Sequence, residues 1–424
     1  MRKRTYRAVA VKEMNVEQLS AGNDRLILGC DAAKDIWYGA WMNMQGEVVQ
    51  TIRWDQVDET GALLTQLQAL RAAGVTVDVA VEPTATYADA VVVQLLGQGL
   101  AVYRVNTKHS HDYQEIYDGV PSGHDAKAAA IVAKLHLERG RSSRPWPVTT
   151  ARRRELRVRV AALDWIKQDE QRAISRLESR LARHWPELLR LLPLTGVTTA
   201  RLLAAYGGPA AVAADPEGAE AALRQWSRGQ LSAAKRAQIV ASAATTLGIP
   251  LLGAERHQIE QLATALCALR RRRHEAEQEL TTQTATDPAL APLSTVVGRT
   301  TAAVLYACLG DLRAYTSVRA LYRAPGLNLR EHSSGKKKGR LAITKRGSAV
   351  ARRWLFLATL RWLKADPIAR AWYLRKVRTN GGVKLKAVIA LMRKLLAALY
   401  HVVRGATYDP YRLFDTRRLQ ITAA

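Results

Sequence analysis

Three acids stand apart in this chain because each closes an apolar run or opens a helix. Asp31 ends Leu26-Ile27-Leu28-Gly29-Cys30-Asp31, Glu82 ends a buried-strand pattern over 75–81, and Asp125 opens a helical stretch to about residue 138. If the two strands are sheet neighbours, Asp31 and Glu82 emerge at one edge and the last helix brings Asp125 to them. Clustered carboxylates repel unless a cation lies between them, and hard oxygen ligands select Mg²⁺ or Mn²⁺. Two such ions can hold the attacking and leaving oxygens of a phosphodiester. Singly, each acid reads as an ordinary turn or cap residue; the signal is the position of all three.

A second constellation is Gly326-Leu327-Asn328-Leu329-Arg330-Glu331-His332-Ser333-Ser334-Gly335, followed by Lys336, Lys337, Lys338, Gly339 and Arg340. Ile343-Thr344-Lys345-Arg346-Gly347-Ser348 and a basic helix with Arg352 and Arg353 come next. A serine before glycine and among cations, Ser334, has the chemistry of a nucleophile whose developing phosphorane charge Lys and Arg would meet. A Ser-Gly pair by itself is far more often a plain loop. The cations are candidate nucleic-acid contacts.

The elements that must position these residues can be traced by periodicity. Strand patterns cover 26–31, 36–42 and 48–54, with a hairpin turn at 43–47 that contains Gly46. A helix follows from Asp58, with Leu63, Leu64, Leu67 and Leu70 at helical spacing, closed by Gly74. Then come the strand ending at Glu82, a helix through Val91 and Leu95, a strand over 100–105 and the helix from Asp125. Three strands, a helix, a strand, a helix, a strand and a helix is the order of an α/β ribonuclease H-like domain, over 24–145. Fold order alone does not justify a function. Residues 1–23 read as a basic arm.

Beyond it the pattern turns helical. Two charged amphipathic segments, 149–192 and 252–282, carry apolar stripes (Leu163, Ile166, Ile174, Leu177 and Leu181; Leu262, Leu266, Leu269 and Ala276) on either side of a helical insert, 193–251. They predict a coiled-coil hairpin used for packing or oligomerisation. A mostly α C-terminal domain occupies 290–424. A weak repeat links Gly196-Val197-Thr198-Thr199-Ala200 to Gly298-Arg299-Thr300-Thr301-Ala302. Each copy is a glycine turn opening a helix, readable as a phosphate contact or as ordinary tight packing.

Composition bounds the partners. The chain has 424 residues, enough for two or three domains, and 48% hydrophobic with 24% charged residues is ordinary for a globular protein. Its net charge of +27 is not ordinary and suits a polyanion, because neutralising phosphates releases counterions. From Arg330 on, 23 Lys or Arg face four acids, interleaved with Trp354, Trp362, Trp372 and Tyr373, which reads as a nucleic-acid footprint. The bland alternative is a ribosome-associated or merely basic protein. Cys30, Cys267 and Cys308 are isolated, which excludes a disulfide framework and a structural zinc pattern. The basic N-terminus lacks a signal peptide's apolar stretch, and no run of about eighteen apolar residues predicts a membrane span. A cytoplasmic, nucleoid-associated protein is expected.

Several of these pieces together resemble a known family, the transposases of bridge-RNA insertion sequences, relatives of the Piv-type DNA invertases. They are Gly29-Cys30-Asp31-Ala32-Ala33-Lys34-Asp35, Glu82-Pro83-Thr84-Ala85-Thr86-Tyr87, Pro121-Ser122-Gly123-His124-Asp125-Ala126-Lys127, the Gly298 turn, and Gly326 through Ser334-Gly335 to Gly347. The resemblance implies a RuvC-like Asp-Glu-Asp-Asp domain binding Mg²⁺ or Mn²⁺, and a nucleophilic serine in a C-terminal transposase domain. It also implies recombination through a covalent serine–DNA link, a noncoding guide RNA, and work as a homo-oligomer, a dimer or tetramer. By motif, Asp31, Glu82 and Asp125 match the first three acids and Ser334 the serine. The family's last motif is Asp-x-x-Asp-Ala; here Ala128 stands at the fourth acid, so a metal ligand is missing. An alternative register puts Asp125 fourth and Ser122 third. The competing functions are a RuvC-like nuclease or invertase without RNA, and an inactive nucleic-acid-binding relative.

Overall fold

Alternation along the strands sorts the N-terminal residues onto two faces of one sheet. The computed structural model describes residues 7–118, 123–138, 143–334 and 337–419, and the chain divides into two units, Met1–Val148 and Thr149–Ala424.

In the first unit the elements run β1 (Val9–Ala10), α1 (Val16–Ser20), β2 (Arg25–Asp31), β3 (Ile36–Met42), β4 (Val48–Asp55), α2 (Thr60–Ala72), β5 (Thr76–Glu82), α3 (Asp89–Gly97), β6 (Ala101–Val105), α4 (Thr107–Asp118), α5 (Asp125–Leu137) and β7 (Ser143–Pro145). The seven strands lie in the order β1-β4-β3-β2-β5-β6-β7. β2, β3 and β4 form an antiparallel meander, while β5 pairs parallel with β2 and β6 parallel with β5. Leu26, Leu28, Cys30, Val77, Val79 and Val81 face one way, into a core with the leucines of α2 and with Val91, Val92 and Leu95 of α3. Ile27 and Ala80 face the other way, under Ile131, Val132, Ala133 and Leu135 of α5. Period two therefore places Gly29, Asp31, Asp78 and Glu82 on the α5 face.

Two features differ from the sequence expectation. The segment expected as a basic arm is built into the domain from residue 9 on: β1 pairs with β4, and Val11, Met14 and Leu19 are buried. Its apolar residues are too sparse to show a period, but each finds a place against the sheet. The helix α4 was not foreseen, because Thr107–Asp118 is polar nearly throughout and carries no apolar stripe to mark it.

In the second unit, α6 (Ala151–His184), α7 (Pro186–Leu191), α8 (Val197–Tyr206), α9 (Pro209–Ala214), α10 (Pro216–Trp226), α11 (Ala233–Ala244) and α12 (Gly253–Thr284) precede α13 (Ala291–Val297), α14 (Arg299–Leu309) and α15 (Val318–Arg323). A hairpin of β8 (Leu329–Ser334) and β9 (Lys337–Ile343) leads into α16 (Ala349–Ala365), α17 (Pro367–Thr379) and α18 (Lys384–Val402). The helices α6 and α12 run antiparallel: Arg159 pairs with Glu279, Lys167 with Glu277, Glu170 with Arg270 and Arg273, and His184 with Glu255. The first long helix stops at His184 because Pro186 starts a new one. Helices α7 to α11 pack with one end of α6 and of α12 into a core around Trp185 and Leu203. A larger core gathers the base of α6 with α13 to α18, and takes in Trp354 and Trp362. Among the described residues, no helix is long and apolar enough to cross a membrane.

Candidate functional site

Asp31 and Glu82 are register partners at the C-terminal ends of the parallel strands β2 and β5. Glycine at position 29 lets α5 close over them. A Cβ there would lie 2.3 Å from the Ala129 carbonyl oxygen and 2.4 Å from the Ala133 amide nitrogen. The floor beneath the helix is small throughout: Gly29 pairs with Ala80 on one side and Ala40 on the other, and Ala129, Ala130 and Ala133 face it. Close approach then carries the start of α5, and so Asp125, to the carboxylate edge. His124 caps that start, its side chain accepting from the Ala126 amide.

The electrostatics follow from this crowding. Burial first, then the charges of Glu82 and Asp125, push the Asp31 carboxyl up to about 6. Burial also raises Glu82, moderated by a hydrogen bond with Ser110 and by the charge of His111. Both of those partners sit on α4, the helix that periodicity could not find, and Ser110 is buried. Just past Glu82, Ala85 adopts a left-handed φ of 50° in the turn towards α3, a conformation a β-carbon makes costly. Cys30, next to Asp31, is fully buried and its thiol is pushed far up by burial and then by the Asp31 charge, so it is inert packing.

A buried carboxylate raised by neighbouring carboxylates, as Asp31 is, belongs to a donor set matched to a hard divalent cation. Asp31 and Glu82 would hold such an ion, with Asp125 approaching from α5. Among the described residues, no three potential ligands are gathered tightly enough to form a ready metal cluster. The expected fourth acid is Ala128, one turn beyond Asp125, with its amide bonded to the His124 carbonyl. Ser122, the third acid's place in the alternative register, lies outside the described residues.

The serine motif belongs to the other unit. Ser334 ends β8 and is paired in register with Lys337 of β9, which also carries Lys338 and Arg340; Gly335 and Lys336 lie outside the described residues. The base of this hairpin is tightly fixed. The Thr344 hydroxyl bonds Asn328 at 2.6 Å, and the loop at Lys345–Gly347 crosses Gly326 so closely that a Cβ there would meet the Arg346 amide at 2.7 Å. Lys345 and Arg346 are exposed. Arg352 is engaged internally, donating to the carbonyls of Pro325 and Lys345, and Arg353 pairs with the buried Asp164 at 2.7 Å. The Gly196 turn is likewise engaged in packing, because the Arg270 guanidinium donates to the Gly196 and Leu194 carbonyls.

Comparison with known proteins finds two matched regions. A family model for DEDD-type IS110 transposases, described as "Transposase", matches residues 28–186, which include Asp31, Glu82 and Asp125. A second, described as "Transposase IS116/IS110/IS902 family", matches residues 294–374, which include Ser334. Both models describe IS110-type transposases, and the chain is similar to that family over the two regions matched. It is 34% identical over 102 residues to "Insertion element IS900 uncharacterized 42 kDa protein" of Mycobacterium paratuberculosis, covering 24% of this chain and 25% of that one. It is 33% identical over 116 residues to "Transposase for insertion sequence element IS1111A" of Coxiella burnetii, covering 26% of this chain and 32% of that one. The chain thus spans a quarter to a third of the length of these curated relatives. The first matched region holds the acids and runs on through α6 of the second unit, and the second lies wholly in the second unit with the serine hairpin.

Proposed function

We propose that the chain is an RNA-guided DNA recombinase, a transposase that cuts and rejoins DNA through a covalent serine–DNA link with carboxylate-held Mg²⁺ or Mn²⁺. The observation that carries this reading is the register pairing of Asp31 with Glu82 beneath the helix that Asp125 opens, in a chain similar to that transposase family. The strand order supports a ribonuclease H-like, RuvC-like N-terminal domain, and the antiparallel α6 and α12 support a coiled-coil spacer.

In this reading the Ser334 oxygen bonds to a DNA phosphorus as the bond to a deoxyribose oxygen breaks. A strand-end hydroxyl later displaces the serine and restores the phosphodiester. A divalent ion, when bound, supplies positive charge to the phosphoryl oxygens. Lys336, Lys337, Lys338 and Arg340, with Lys345 and Arg346, hold the strand by its phosphates. The guide RNA rests on family resemblance, as does assembly into a dimer or tetramer; the setting is the cytoplasm, on the nucleoid.

Ala128 favours a second reading, a relative that binds nucleic acid without cutting it. A labelled DNA substrate on a denaturing gel separates the two, with Ser333 and Ser334 each changed to alanine in a background carrying Ala128→Asp. Loss of a protein–DNA adduct in Ser334→Ala, with the adduct kept in Ser333→Ala, is expected. An adduct that survives Ser334→Ala refutes the serine assignment, and no adduct in any chain favours the second reading. Recombination by protein freed of RNA would exclude the guide.

A further inference from the structure

The β6–β7 edge of the sheet carries two arginines that, among the described residues, meet no opposite charge; Arg104 is in register with Val81 and so lies on the face away from α5. Arg104 of β6 and Arg144 of β7 are cross-strand partners, and like charges placed opposite each other destabilise a sheet. The Lys and Arg ion pairs described in this unit join Lys12 to Glu59, Arg25 to Asp78 and Lys108 to Asp112. Among the described residues, neither Arg104 nor Arg144 has such a partner; Arg104 lies over the Trp146 ring instead, 6.0 Å from its centroid. Both line an open cleft of about 510 Å³ with Asn106, Thr107 and Pro145. Thr107 opens α4, and one turn further along the same helix Ser110 is bonded to Glu82.

We propose that Arg104 and Arg144, on the sheet face away from α5, form a cleft for the phosphodiester backbone of a nucleic-acid strand. A phosphate between the two guanidiniums turns their mutual repulsion into two charge-assisted contacts, and the planar fork of arginine matches its oxygens. That the bound strand is one the chain acts on rests on the function proposed above; the binding itself does not.

The full chain is titrated with a fluorescent single-stranded DNA and, separately, with a single-stranded RNA, as salt is raised from about 50 to about 200 mM. In the variant carrying Arg104→Gln and Arg144→Gln, the slope of log affinity against log salt should flatten by about 1.4, two contacts' worth, so the unaltered chain loses about sevenfold more affinity over that range. Flattening with one of the two polymers names the bound strand; flattening with both names the backbone they share. An unchanged slope with both overturns the proposal. Should the double variant fail to fold, phenylglyoxal modification of the unaltered chain decides: the strand should protect Arg104 and Arg144. Equal modification with and without it, or equal protection by polyglutamate, overturns the proposal. Asp31→Asn should keep the slope unchanged, so cutting that survives Asp31→Asn counts against the carboxylate site alone.

Discussion

Gly29 and Asp31, two residues apart on β2, set the approach and the charge of the carboxylate site. A methyl group at position 29 would overlap the backbone of α5, so Gly29→Ala must lift that helix or bend the strand. Overpacking of this kind costs about 1–3 kcal/mol. A lower melting temperature and weaker strand cutting are expected, whereas Gly61→Ala on α2, where nothing lies within 4 Å, should leave both unchanged. Asp31 adds a pH signature of known sign. Its carboxyl is raised from an ordinary 3.8 to about 6 by burial and by Glu82 and Asp125, so the folded chain keeps a proton the unfolded chain has released. Metal-free stability should therefore fall as pH rises through that window, by up to about 3 kcal/mol. Thermal melts across pH should show this loss vanish in Asp31→Asn, and Mg²⁺ should reverse it in the unaltered chain; a flat profile in the unaltered chain would sink the assignment.

At the scale of elements, α5 is held at both ends. Its start carries Asp125 to the sheet edge, and its last turn places the buried His136 between Asp78, 3.3 Å from Nε2, and Ser143, 2.7 Å from Nδ1. Arg25 completes the group, 2.6 Å from the same Asp78 oxygen. Burial pushes the Asp78 carboxyl up, but the bonds from His136 and Arg25 outweigh it and hold the group below the usual carboxylate range. Its contribution is present above the unfolded pKa and lost as pH falls through the lower folded value, opposite in sign to that of Asp31. His136→Ala should cost about 1–3 kcal/mol at neutral pH, because it leaves buried polar groups short of a partner. Urea unfolding measures this, and the loss should shrink in acid, where Asp78 is protonated in both chains.

For the whole molecule, excess charge is not the same as available charge. The +19 segment from Arg330 supplies cations of two kinds. Lys345 and Arg346 are exposed, while Arg353 is spent on Asp164 of α6. Lys345→Ala and Arg346→Ala should each reduce the salt slope of duplex binding by about 0.9 without affecting the melting temperature. Arg353→Ala should do the reverse, lowering the melting temperature while leaving the slope almost unchanged. The tryptophans of this region behave as the arginine does: Trp354 and Trp362 are core residues, unavailable for stacking on bases.

Sequence alone determined the strands through Glu82, the helix that Asp125 opens, the two long helices and the basic C-terminal segment, because each announces itself by a period of two or 3.6 or by net charge. It also singled out Asp31, Glu82 and Asp125, since an acid that closes an apolar strand or opens a helix is visible in one dimension, whereas the close approach at Gly29 is not. Tertiary structure decided what no local pattern encodes. Val9 and Ala10 join the sheet only because β4 has a free edge for β1, and the core has room for Val11 and Leu19. α4 has no stripe to mark it, yet it supplies Ser110 and His111 to Glu82. Arg104 and Arg144 lie 40 positions apart and meet only because β7 returns antiparallel to β6. Arg353 looks like any other cation until α16 packs against α6 and presents it to Asp164. Periodicity fixes which face a side chain takes; which partner waits on that face depends on contacts between segments far apart in the chain.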